Sequence, residues 1–108
     1  MKEYKYPMID AKKTGDWLRY LCRRNHITVK EIQERLQISS NQAIYAWFNG
    51  KTLPSLNNLY ALANLIGMAM DDMVVDNIHK HPFFRCENSY EKRLLIYNYK
   101  IMQKVSNY

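Results

Sequence analysis

Residues 38–50 read ISSNQAIYAWFNG, and the fold turns on what this stretch becomes. Ser39 or Ser40 can cap a helix by accepting a hydrogen bond from a first-turn N–H that has no partner within the helix. Gly50 stands where a helix closes in a left-handed residue, a conformation that costs nothing sterically when Cβ is missing. Between these ends Ile44, Trp47 and Phe48 recur at i, i+3 and i+4 and make one apolar stripe. Asn41, Gln42, Tyr45, Ala46 and Asn49 lie opposite. They offer amides, a phenol and a methyl, and none is charged. Amides can pair donor and acceptor with the edge of adenine, and small or aromatic groups can touch the thymine methyl. Such a face suits base reading, although polar residues opposite an apolar stripe also describe an ordinary amphipathic surface helix.

Working outward toward the N-terminus, Gln37-Ile38-Ser39 is a short link, so the helix before it must cross the central one steeply. That preceding helix begins at Thr28, with Glu31 completing a T-x-x-E capping box and Ile27 placed as a staple against Ile32. Ile32 and Leu36 point inward. Two helices joined in this way match a helix-turn-helix unit. Before the break at Asn25-His26, a helix is expected from about Thr14, with Leu18, Leu21 and Cys22 on one face and Trp17 at its edge. Arg23 and Arg24 fall in its last turn, where the helix dipole favours cations. Residues 1–13 read as an irregular arm interrupted by Pro7.

Toward the C-terminus, Ser55 caps a further helix in which Leu56, Leu59, Leu62, Ala63 and Ile66 keep helical spacing and Gly67 ends it. Met70–Met73 adds a final short turn, and Met68, Met70 and Met73 read as core plugs. Five short helices therefore occupy residues 14–75. Beyond them, Asn88 with Glu91 can cap one more helix, whose Tyr90, Leu94, Tyr97 and Ile101 form a stripe that must be buried somewhere. Nothing in residues 14–75 stands out as spare apolar surface. This stripe, with Phe83 and Phe84, is therefore the expected interface between two copies. A helix folded back on its own domain and a phosphate-contacting appendage are the competing readings.

The 108-residue composition agrees with an all-α chain: apolar residues make up 47 %, and glycine and proline contribute three each. No apolar run approaches the roughly 20 residues needed to cross a bilayer. Nothing at the start suits a signal peptide, and two cysteines 64 positions apart make no disulfide framework. A reducing cytoplasm is the expected compartment. The net charge of +6 is unevenly spread. Residues 1–37 hold nine Lys/Arg against five Asp/Glu, residues 38–75 one against two, and residues 76–108 six against three. A basic chain with a neutral middle suits a phosphate-bearing partner.

The markers W-x-N-G-K, L-P-S-L-x-x-L-x-x-L-A-x-x-I-G and M-x-D-D-M run through some 60 of the 108 residues. On these the chain resembles the Cro/phage-repressor (XRE-like) helix-turn-helix family. It is most similar to small bacterial regulators carrying S-x-Q-A-I-Y-x-W, which keep an extra residue in the turn, here within Ser39-Ser40. The resemblance implies a five-helix lambda-repressor-like domain at 14–75, between the arm at 1–13 and a loop and extra helix at 76–108. It implies that Ser40, Asn41, Gln42, Tyr45 and Ala46 enter the major groove. Backbone phosphates would be held at helix starts and by the loop at Asn49, Gly50 and Lys51.

This sequence departs from the family in three places. Val29 stands where relatives commonly carry a phosphate-contacting Gln. Cys22 and Phe48 stand where the family often pairs a buried Arg with a Glu, a concerted exchange of an ion pair for packing. Ala46 replaces a long polar side chain. The first and third bear on affinity and sequence preference, and none disturbs the fold.

The remaining chemistry is sparse. His79, His81 and Cys86 follow H-x-H-x4-C, which matches no usual zinc spacing, so no metal is expected. Neither cysteine has a base in view, the glycines at 15, 50 and 67 are scattered at helix ends, and no catalysis or cofactor is expected. The resulting reading is a bacterial or phage DNA-binding transcriptional regulator, most simply a repressor. It would act on double-stranded DNA as a homodimer in the cytoplasm, at the nucleoid, with no membrane contact. An antitoxin whose tail wraps a toxin, or an adaptor that kept the fold and lost DNA binding, are the alternatives.

Overall fold

The computed structural model describes residues 6–78 and 97–101. Helix α1 spans Ala11–Arg24, α2 Val29–Arg35, α3 Asn41–Phe48 and α4 Leu56–Ile66, and a 3-10 turn follows at Met70–Met73. Each α-helix begins at a side-chain cap. The Asp10 carboxylate accepts from the Lys13 N–H, the Thr28 hydroxyl from Glu31, Ser40 from Gln42, and Ser55 from Asn58. These bonds satisfy donors that the helices cannot. Because Asp10 supplies its cap, α1 starts three residues before the expected Thr14.

The elements meet in one core, to which each gives a fully buried side chain: Leu18, Ile32, Ile44, Leu62 and Met73. The closest approach is α1 on α3. Gly15 lies inside α1 rather than at a helix end, and a Cβ there would press on the Trp47 carbonyl oxygen and stand 2.7 Å from that of Phe48. Trp17, expected at the edge of the apolar face, is 2 % exposed, and its indole N–H donates to the Asp72 carbonyl at 2.7 Å. Met73 is a core plug as expected, while Met68 and Met70 pack more loosely against the same core.

The described part of the arm is tied down. Thr14, buried, donates its hydroxyl to the Val75 carbonyl (3.2 Å) and accepts the Val75 N–H (2.9 Å). Asp10 N–H donates to the same carbonyl at 2.8 Å, Asn77 N–H donates to Met8 O at 2.9 Å, and Ile9 and Asp76 form an antiparallel bridge.

One apolar surface differs from expectation, and the tail helix adds a contact to the core. Leu56, expected in the core, is 76 % exposed, and with Leu53 and Tyr60 it forms an exposed patch inside the helical domain. The reason is geometric: side chains lean toward a helix's N-terminus, so the first residue of α4 reaches past the core into solvent. Residues 97–101 are helical, and Tyr99 meets Trp17 and Tyr20 edge-on at centroid distances of 5.6 and 5.3 Å. Tyr97 and Ile101, on the stripe assigned to dimerisation, remain exposed. Phe83, Phe84, Tyr90 and Leu94 lie outside the described residues, as do His79, His81 and Cys86.

Candidate nucleic-acid interface

Helix α3 is fixed by its stripe. Ile44, Trp47 and Phe48 are buried, which turns Asn41, Gln42 and Tyr45 outward, with Ala46 half-buried beside them. The turn before it closes α2 by two bonds, Ile38 N–H to Gln33 O at 3.0 Å and Gln37 N–H to Glu34 O at 3.4 Å. Such a closure needs a left-handed residue, and Gln37 takes it at φ 55°. The Gln33 amide also donates to the Ser39 carbonyl at 3.4 Å, bracing the turn against α2. Ser40, expected at the interface, caps α3 by accepting the Gln42 N–H, which leaves its O–H to donate elsewhere.

At the far end of α3, Gly50 takes φ 75°, and a Cβ there would stand 2.6 Å from the Lys12 Cα. The N–H groups of Asn49, Gly50 and Lys51 donate to the carbonyls of Tyr45, Trp47 and Ala46 at 2.9, 3.1 and 2.9 Å. They close the helix, so what this loop offers a phosphate is side-chain chemistry, chiefly the exposed Lys51 ammonium. The Asn49 carboxamide oxygen accepts a 2.7 Å bond from Arg19, whose guanidinium also lies 5.5 Å from the Phe48 ring centroid. With the oxygen so held, the Asn49 NH2 is the end left to face a partner.

The profile of the helix-turn-helix family HTH_3 matches residues 18–73, which holds α2, the turn and α3. The chain belongs to this family. Its fold is shared with the DNA-binding domain of BldD, at a TM-score of 0.52 and 18 % identity over 61 % of this chain and 94 % of that one. The S. venezulae BldD DNA-binding domain gives the same score and identity, covering 61 % and 97 %. A transcriptional regulator from Listeria innocua aligns over 88 % of this chain and 96 % of its own, at 0.52 and 14 % identity. No curated protein matches the chain. The XRE-type resemblance read from the sequence is thereby borne out, as is the all-helical lambda-repressor-like fold.

Within this helix-turn-helix frame, Cys22 and Phe48, the pair that departs from the family, line one groove of about 710 Å3 with Val29, the third apolar substitution site near it. Burial pushes the Cys22 thiol up to about 12 from an ordinary value near 9, so it behaves as a small apolar side chain. Sequence reading passed over the rim of this groove, which is Arg19, Arg23 and His26. Their spacing of four and three residues was the available signal, because it sets them along one side of α1 and its end. Among the described residues no group of His, Cys, Asp and Glu is placed to hold a metal ion. No helix there is long and apolar enough to cross a membrane.

Proposed function

We propose that the protein is a sequence-specific DNA-binding transcriptional regulator, most simply a repressor that acts by covering its operator, and that it carries out no catalysis. The observation that carries this reading is the outward face of α3. Asn41, Gln42 and Tyr45 are exposed and uncharged on a helix locked by three buried residues at one end of a helix-turn-helix. That pairing of a fixed frame with uncommitted amides suits base edges, while Lys51 and the basic flanks suit phosphates. The named DNA-binding neighbours share the frame, which supports the same reading.

Selection of bound sequences from a random duplex pool tests it. A two-fold motif with half-sites about one DNA turn apart is expected, and no enrichment would point to an adaptor. On the selected site, Gln42→Ala should cost about 1–3 kcal/mol and relax one base position. Lys51→Ala should weaken all sequences alike and lower the salt slope by roughly one unit. Identical profiles for the two would reject these roles. The dimer is assigned to the exposed Tyr97 and Ile101 side of the tail helix, and Tyr97→Ser with Ile101→Ser should yield a folded monomer by light scattering. If the dimer survives that change and is lost with Leu56→Ser, α4 is the interface instead.

A further inference from the structure

We propose that the groove between the end of α1, the start of α2 and α3 is a binding site for a small aromatic anion, and that its occupant opposes DNA binding. The second half rests on the regulator reading; the first does not. The floor of the groove is apolar, made by the half-buried Ile27 and Val29 over the buried Cys22 and Phe48. Its rim carries Arg19, Arg23 and His26, and among the described residues no carboxylate lines it. At about 710 Å3 it falls within the roughly 300–1,000 Å3 typical of small-molecule sites. An apolar body with one anionic group complements both parts.

A DNA phosphate can use the rim cations but not the floor. A phosphodiester is held by donors and gains nothing from an apolar floor, while the valine at 29 and the cysteine at 22 offer it no donor of strength. Arg19 is held in place by Asn49 and by the Phe48 ring, so one wall of the site is already set.

Coupling to DNA follows from two shared residues. Tyr45 and Asn49 line the groove and also belong to the outward side of α3. An anion on the rim competes with backbone phosphates for the same cations and stands against these two side chains. DNA affinity then falls as the site fills, and bound DNA lowers ligand affinity by the same factor.

The test uses the full chain, isotope-labelled and free of DNA. It is titrated with benzoate and phenyl phosphate, and with acetate and inorganic phosphate as controls without a ring, at matched ionic strength. Amide shifts at Ile27, Val29 and Asn49 should saturate with the aryl anions at concentrations roughly tenfold below the controls, the gain expected from burying a ring. Arg23→Gln, at an exposed position, should weaken benzoate several-fold while far-ultraviolet dichroism shows the fold intact. Equal binding of benzoate and acetate overturns the proposal, and so does an Arg23→Gln chain that binds benzoate normally. Shifts in the groove that arise only with duplex DNA also overturn it and make the groove part of the DNA footprint. In a final arm, saturating benzoate should weaken binding to the selected operator. If the aryl anions bind and no operator can be selected, the ligand site stands and the regulator reading falls.

Discussion

The helix-turn-helix centre and the edges that close around it are held together by different means. In the centre, from Ala11 to Met73, each α-helix starts at its own cap, and each of the five elements sends at least one fully buried side chain into a shared core. At the edges, the stretch around Met8–Asp10 meets Val75–Asn77 through bonds between residues more than 60 positions apart, and Tyr99 meets the rings of Trp17 and Tyr20 on α1. Local signals therefore build the part that would read DNA, and long-range contacts fasten the parts around it. The two should fail separately.

The largest effect is expected where the centre is altered at its floor. Phe48→Glu would bury an unpaired carboxylate and should cost on the order of 3–5 kcal/mol, measured by chemical denaturation. Because Cys22 and Phe48 line the same groove, adding Cys22→Arg should recover much of the loss by restoring the ion pair common in the family. A double variant no more stable than Phe48→Glu would show that the two positions do not act on each other.

This division also decides what could be read from the sequence. Ser40, Thr28, Ser55 and Gly67 announce themselves, since a cap and its helix lie within a few residues. The α3 stripe, Ile44, Trp47 and Phe48, is legible for the same reason. Asp10 was hidden because Pro7 suggested an irregular arm. What holds that arm is the hydroxyl of Thr14 meeting Val75, a pairing 61 residues apart that no local pattern encodes. Leu56 kept perfect helical spacing and still points to solvent, because periodicity locates a face and not where the core ends. In the candidate site, the outward residues of α3 were legible. Arg19 was not, since its role depends on Asn49 and Phe48 arriving beside it from another helix.

The next effect in size probes an edge from inside the centre. Thr14→Val keeps the shape and removes the hydroxyl, leaving the Val75 N–H without its acceptor. A loss of about 1–3 kcal/mol is expected, the usual cost of a buried orphaned donor. Amide exchange should quicken at Asp10 and Asn77 well before the amides of α3 respond. Uniform quickening across the chain would mean that edge and centre open as one unit.

The tail helix should separate by pH. Burial, with the Asp16 and Tyr20 charges adding, pushes the Tyr99 phenol up to about 12 from an ordinary value of 10. Docking favours the neutral phenol, so its stabilisation is whole below pH 10 and is lost as pH rises toward 12. The Cys22 thiol, raised from 9 to about 12, withdraws stability from the centre over an overlapping range. Trp17 fluorescence follows the tail, which touches its ring, and far-ultraviolet dichroism follows the helices. Tyr99→Phe should cut the alkaline fluorescence change back to the part that accompanies the dichroism transition, and leave that transition in place. If the fluorescence change is undiminished in that variant, Tyr99 ionisation is not what releases the tail.

The smallest effect runs the other way and would make the centre more stable. Two helix closures use residues with a Cβ in the left-handed region, His26 at φ 57° after α1 and Gln37 at φ 55° after α2. At Gly50 the same closure of α3 uses glycine, with Lys51 N–H returning to Ala46 O as Ile38 N–H returns to Gln33 O. Removing the Cβ at 37 should relieve about 1–2 kcal/mol of steric cost. The freer unfolded chain takes back about 0.4–1 kcal/mol of that. A net gain of about 0.5–1 kcal/mol follows, or a few degrees in melting temperature for a domain of this size. The turn between α2 and α3 keeps its bonds, so Gln37→Gly should leave the outward side of α3 and the selected DNA site unaffected. A lower melting temperature would show that the Gln37 side chain supplies a contact worth more than the strain. The comparable change at His26 would also remove an imidazole from the groove rim, so position 37 isolates the backbone effect.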